Sequence, residues 1–198
     1  QKSILVQSED EAILATKTIG KAVALKVQSP DIPHKSQAGG VVLNIDSHTD
    51  VGQQFKSMQS TISQNFPKAI IDGFLIQEMS EPGLEIILGI NNREGFGPIL
   101  MVGFGGIHVE KTRDVAFAPV PLGEDDCNQL LKKLKGSVLL DADKYDVPAL
   151  IDLMTSLSNF AESTSDYIGE IDLNPVLVHS KGQGVTVIDA LMFKHQKH

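Results

Sequence analysis

Four oxygen-bearing side chains stand in runs that are otherwise apolar: Glu170, Asp172 and Asn174 in Glu170-Ile171-Asp172-Leu173-Asn174-Pro175, and Asp189 in Val187-Ile188-Asp189-Ala190. Alternate residues of a strand share a face, so Glu170, Asp172 and Asn174 point the same way. A charge among apolar residues is costly to desolvate and so normally has a partner. Three oxygen ligands on one strand face and a fourth from a neighbouring strand suit a hard cation such as Mg2+. They include no thiolate or imidazole for zinc. A solvated polar strand face gives the same pattern without a metal.

A second constellation lies in Lys26-Val27-Gln28-Ser29-Pro30-Asp31-Ile32-Pro33-His34-Lys35-Ser36-Gln37-Ala38-Gly39-Gly40-Val41. An apolar run breaks at two prolines and resumes after a glycine pair, which reads as strand, long loop, strand. His34, Lys35, Ser36, Gly39 and Gly40 then offer cationic groups, a hydroxyl and unobstructed backbone N–H groups, the chemistry that binds phosphate oxygens. The loop is neither Gly-x4-Gly-Lys-Ser/Thr nor Gly-x-Gly-x-x-Gly. An ordinary surface hairpin with a glycine turn is the plainer alternative. Glu78 and Glu85, at the end of one apolar run and the start of the next, are a further acidic pair, equally readable as exposed edge carboxylates. A basic glycine loop in one lobe and a Mg2+-type carboxylate set in the other are what a nucleotide–Mg2+ site between two lobes requires.

The elements that must position these residues follow from periodicity. Ser8-Glu9-Asp10-Glu11 is a capping box, and Ala12, Ile13, Ala15 and Ile19 follow at helical spacing up to Gly20. Strands at 22–27 and 41–45 flank the loop. Ser47 to Asp50 supply cap residues for a polar helix through Phe66 with Val51, Phe55, Met58 and Ile62 as its inner stripe. From residue 73 on, three short apolar runs, 74–79, 84–90 and 99–104, are separated by Glu-Pro-Gly and by Asn91-Asn92-Arg93, which suggests an antiparallel meander. A strand at 115–120, helices at 125–135 and 148–161, and strands at 167–173, 176–178 and 185–190 complete a mixed α/β (α+β) chain with largely antiparallel sheets. The boundary between a small lobe and a large lobe is expected near residue 72, giving lobes of 1–72 and 73–198.

Composition narrows the class. The chain has 198 residues, 41% apolar and 21% charged, enough for a real core and normal for a globular protein. No apolar run approaches the ~18 residues needed to span a bilayer, and the first residues are too polar for a signal peptide, so a cytoplasmic protein is expected. One cysteine, Cys127, follows Glu124-Asp125-Asp126, a setting that disfavours a thiolate. A net charge of −8, no tryptophan and two tyrosines argue against nucleic acid as a partner.

The ordered motifs resemble the ATP-grasp domain of ADP-forming acyl-CoA synthetases (acetate–CoA ligases), relatives of the succinyl-CoA synthetase β subunit. The resemblance spans residues 22–191 and rests on the Lys26 to Gly40 loop, on Gln77-Glu78-Met79 with Gly83-x-Glu85, on Phe96-Gly97-Pro98 leading to Gly105-Gly106, and on Asp172-Leu173-Asn174-Pro175 with Asp189-Ala190. It implies an ATP-grasp fold of two subdomains with ATP or ADP between them. It assigns Lys26 to the phosphates, Glu78 and Met79 to the hinge beside adenine, and Glu85 to the ribose. Asp172, Asn174 and Asp189 would hold Mg2+ with Glu170 behind them. Lys35, Ser36, Gly39 and Gly40 would close over the phosphates, and His34 would relay a phosphoryl group to an acyl phosphate, which the CoA thiol then attacks.

The resemblance further implies CoA-binding and CoA-ligase domains or a subunit as partners. On that view the chain is one domain of a larger enzyme that binds nucleotide alone without turning over. The alternative is a nucleotide- or ligand-sensing regulatory domain of a protein lysine acetyltransferase, which an acetyltransferase domain after His198 would support. A carboxylate–amine ligase of the wider ATP-grasp group lacks support from the His34 loop.

Overall fold

The structure is a computed structural model that describes residues 2–46, 48–93, 95–106 and 114–195. It divides into two compact units, Gln1–Ser80 and Glu81–His198.

In the first unit a four-stranded antiparallel sheet is ordered β1-β4-β2-β3, from β1 (Ser3–Val6), β2 (Val23–Gln28), β3 (Val41–Ile45) and β4 (Gly73–Glu78). Helices α1 (Glu9–Ile19) and α2 (His48–Asn65) supply the apolar stripes that cover it. Ser8 caps α1 as its hydroxyl accepts from Glu11 N at 3.3 Å, and the Glu11 carboxylate reaches back to Gln7 N at 2.7 Å. Gly20 ends the helix at φ 73°, a conformation an L-residue with a Cβ resists. The expected stripe of α2 is buried: Val51, Phe55, Met58 and Ile62 pack with Leu25, Ile76 and Phe74. The Phe55 and Phe74 rings meet at 4.6 Å between centroids. The capping role expected of Ser47 falls outside the described residues.

Strand β4 corrects the expectation of a three-stranded meander beginning at residue 74. It pairs with β1 and β2, not with the strand that follows it. Phe74 and Ile76 are buried in the first core, so the side chains that made this run look like the start of a second lobe complete the first. Ser80 to Gly83 is therefore the passage between the units and not a hairpin turn.

The second unit carries a six-stranded antiparallel sheet, β10-β8-β5-β6-β7 with β9 paired to β8. Its strands are β5 (Leu84–Arg93), β6 (Gly97–Phe104), β7 (Val115–Pro119), β8 (Ile168–Val178), β9 (Val185–Val187) and β10 (Ala190–Lys194). One face packs on α3 (Glu124–Lys132) and α4 (Val147–Ser163). Asp146 caps α4 through Ala149 N, and Pro148 occupies its first turn, where a missing N–H costs nothing. Ile86, Leu88, Ile90, Leu100, Val102, Leu150 and Met154 form the core, where removing one such side chain costs about 2–5 kcal/mol. Cys127 is fully buried there, and desolvation raises its thiol above the ordinary cysteine range, so it is a packing residue and not a nucleophile. Two sequence boundaries shift. Asn91, Asn92 and Arg93, expected to form a turn, continue β5, and β8 runs unbroken through the cis Asn174–Pro175 bond. Among the described residues no helix is long and apolar enough to cross a membrane.

Candidate functional site

The second sheet has a buried face and an open one, because α3 and α4 cover only the side bearing Ile86, Leu88 and Ile90. The intervening residues of β5, Glu85, Ile87, Gly89, Asn91 and Arg93, point the other way, as strand alternation dictates. On β8 the same rule buries Ile171 and Leu173 and leaves Glu170, Asp172 and Asn174 on the open face. A groove of about 520 Å3 runs across it, lined by Gly89, Asn91 and Arg93 of β5, by Glu170, Asp172 and Asn174 of β8, and by Ile99, Met101 and Phe117. Its floor is low beside Asp172 because the residue directly opposite in the β5–β8 ladder is Gly89.

Asp189 joins this set through the backbone. Asn174 N donates to Asp189 O at 3.1 Å, and Ile188 N to Pro175 O at 3.0 Å, which fixes the segment before β10 against the Asn174–Pro175 step. One Asp189 carboxylate oxygen also accepts from Ala190 N at 3.0 Å. Among the described residues no three His, Cys, Asp or Glu side chains converge as a complete metal site. Two carboxylates and one amide oxygen fit a cation that takes only part of its shell from protein and keeps waters and phosphate oxygens for the rest, as Mg2+ does.

Glu85 lies on β5 two residues before Ile87, outside the groove's lining, and is held by Gly105 N donating to Glu85 O at 2.7 Å. A Cβ at Gly106 would lie 2.9 Å from the Glu85 carboxylate, so the glycine pair lets the chain pass directly over this side chain. Glu85 itself is exposed and able to accept hydrogen bonds from a ligand hydroxyl.

The other expected site residues are in the first unit. Lys26 is buried on β2, 5% exposed, opposite Leu75 and Val41. The loop after β2 is tightly hydrogen-bonded: Gly40 N donates to Lys35 O at 2.8 Å, Val27 N to Gly40 O at 2.8 Å, and Ala38 N to His34 O at 3.2 Å. A Cβ on Gly40 would run into the Val27 side chain, and Gly39 has φ 75°, so both positions require glycine. Lys35 turns inward and is buried, while His34 and Ser36 face solvent. Glu78, expected beside a base, is engaged: Lys21 Nζ lies 2.7 Å from its carboxylate, and Lys2 N donates to it at 3.3 Å. The Lys21 hydrogen bond holds the Glu78 carboxyl below the usual range. Met79 N is taken by Ala22 O at 2.9 Å.

Residues 1–193 match the family model of the ATP-grasp domain. This chain belongs to the ATP-grasp family. The match extends the family's span over β1 and α1, which the sequence motifs beginning at residue 22 had left out. This ATP-grasp domain is 38% identical over 191 residues to the 4-hydroxybutyrate–CoA ligase (ADP-forming) of Nitrosopumilus maritimus, 95% of this chain but 27% of that protein. It is 37% identical over 190 residues to the β subunit of acetate–CoA ligase (ADP-forming) II of Pyrococcus furiosus, covering 94% of this chain and 80% of the subunit. The domain thus spans about a quarter of a single-chain relative and most of a separate subunit. Among solved structures it resembles the dinucleotide-forming acetyl-coenzyme A synthetase 1 of Ca. Korarchaeum cryptofilum. In complex with coenzyme A and Ca-AMPCP that chain gives a TM-score of 0.89 at 35% identity, covering 98% of this chain and 85% of that one. With coenzyme A and Mg-AMPPCP, its phosphohistidine segment pointing towards the nucleotide binding site, the TM-score is 0.78 at 32% identity, with 98% and 84% covered.

Of the residues that line the groove, the sequence motifs single out Glu170, Asp172 and Asn174 and do not single out Gly89, Asn91 and Arg93. The last two were hidden by an Asn-Asn-Arg stretch that reads as a turn. The signal that finds them is the in/out alternation begun at Ile86, Leu88 and Ile90, which continues without a break through residue 93.

Proposed function

We propose that this domain binds ATP or ADP with Mg2+ and supplies the nucleotide half of an ADP-forming acyl-CoA synthetase: acid, CoA and ATP giving acyl-CoA, ADP and phosphate. The observation that carries the reading is the open sheet face with Asp172 and Asn174 beside a glycine-floored groove, in a chain whose relatives bear those names. In this reading Glu85 accepts from the ribose hydroxyls, and Asp172, Asn174 and Asp189 hold the cation. When bound, the metal would supply charge neutralisation at the phosphates. Lys26 and Lys35 would supply positive charge, and the Gly39 and Gly40 amides and the Ser36 hydroxyl neutral hydrogen-bond donors, for the phosphates. Glu78 and Met79 bound the base.

His34 is the phosphoryl acceptor in this reading. A neutral imidazole nitrogen attacks the terminal phosphorus of ATP; the N–P bond forms, the P–O bond to ADP breaks, and ADP keeps the electron pair. The phosphoryl group then passes to the carboxylate of the acid, and the CoA thiol displaces phosphate from the acyl phosphate. Solvent exposure of His34 on a loop between two strands supports a group that meets two reactants in turn. CoA-binding and CoA-ligase portions, in the same chain or as a separate subunit, complete the enzyme, and a cytoplasmic setting suits its substrates.

The test is phosphoryl labelling of the enzyme assembled with its CoA-binding portion. With γ-labelled ATP, wild type should carry acid-labile label at His34. His34→Ala should lose that label and most turnover while ATP affinity stays within about tenfold. Normal turnover by His34→Ala, or a variant that simply fails to bind ATP, refutes the relay.

A further inference from the structure

The groove on the second sheet does not end at Asp172. Beyond it along β5 come Asn91, paired with Glu170, and Arg93, the one Lys or Arg among the residues that line the groove. Arg93 Nε donates to Asn91 Oδ1 at 3.2 Å, so the side chain folds back along its own strand towards Gly89 and Asp172. Asn91 is two residues, about 7 Å of strand, from Gly89. The guanidinium is thereby placed over the groove with its fork of terminal N–H groups, and among the described residues it makes no ion pair although Glu170 lines the same groove.

We propose that Arg93, oriented by Asn91, forms an anion subsite in this groove that takes a phosphoryl group: the outermost phosphate of the nucleotide, or the phosphate held apart from the diphosphate. The inference rests on the nucleotide reading and deepens it. Asp172 and Asn174 would hold a cation near Gly89; a phosphoryl group further along β5, beside Asn91, then needs positive charge that these residues do not supply. Arg93 offers that charge in a planar fork matched to phosphate oxygens. Glu170, across from Asn91, opposes the anion, and its charge makes the subsite discriminating: an anion enters only when it can meet both guanidinium and metal.

Calorimetric titrations of this chain with Mg2+ and either ADP or a non-hydrolysable ATP analogue test the subsite. Arg93→Ala should weaken the triphosphate analogue by about tenfold or more and leave ADP within about twofold, since a charge-assisted hydrogen bond is lost only where a terminal phosphate is present. Arg93→Lys should be intermediate, and Glu170→Gln should tighten the triphosphate more than the diphosphate. In a second arm inorganic phosphate is titrated into the Mg-ADP-saturated chain. Loss of that binding in Arg93→Ala, with triphosphate affinity unchanged, assigns the subsite to separately bound phosphate. Equal effects of Arg93→Ala on ADP and the triphosphate analogue, or no effect on either together with unchanged phosphate binding, overturn the proposal. A wild-type chain that binds neither nucleotide overturns the nucleotide reading, and the subsite falls with it.

Discussion

Gly89 and Asp172 lie directly opposite each other in the β5–β8 ladder, on the face turned away from α3 and α4. Gly89 is itself buried beside Met101, and with no side chain of its own it puts nothing between Asp172 and the groove that both line. Gly89 needs no unusual φ; a Cβ there would lie 3.3 Å from the mobile Met101 Cε. Gly89→Ala is therefore expected to fold with a small stability change and moderately weakened nucleotide binding. Gly89→Leu should keep a cooperative melt but lose nucleotide binding, because the larger side chain fills the groove. Calorimetry and melting curves on the two variants check both halves.

Asp172 and Asn174 should act through the cation. Asp172→Ala and Asn174→Ala are expected to weaken ADP binding strongly in Mg2+ and much less in EDTA, since each removes an oxygen ligand of the metal and none of the base or ribose contacts. Equal losses in the two buffers would make these residues structural.

Glu78 gives a pH dependence with a definite sign. Its carboxyl is held below the usual range chiefly by Lys21, so its contribution to stability is present above the ordinary carboxylate value and is lost as pH falls through the lowered one. Lys21→Ala should return the Glu78 titration towards the ordinary range, so that this acid-side loss shrinks. Carboxyl chemical shifts followed through an acid titration measure this directly. The effect on the melt should be small, because Lys21 is 65% exposed and the pair is screened by solvent.

Much of the architecture was readable from periodicity and capping. Helix α1 ran from Ser8 to Gly20 as its capping box and glycine signal require, and the α2 stripe buried the four residues it should. What the sequence could not show was partnership. β4 has the same apolar pattern whether it pairs forward with β5 or back with β1 and β2, and only tertiary contact decides between them. In the site, the oxygen-bearing residues of β8 were visible because charge in an apolar strand is conspicuous. Arg93 was not, because polar residues at a strand's end look like a loop. Glu78 was conspicuous too, but its engagement by Lys21 and by the Lys2 N–H just before β1 was not readable from the sequence.

The central claim, that this domain binds nucleotide through a metal held on the open face of the second sheet, is tested most directly by melting the chain with Mg-ADP and with Mg-ATP, each repeated in EDTA. A ligand bound only by the folded state stabilises it by RT ln(1 + [L]/Kd), about 2.7 kcal/mol at a hundredfold excess over Kd. With Mg2+ the Tm should rise with nucleotide concentration, and the rise should shrink in EDTA and in Asp172→Ala. A Tm that does not move at millimolar nucleotide, or that moves equally with and without metal, would contradict it.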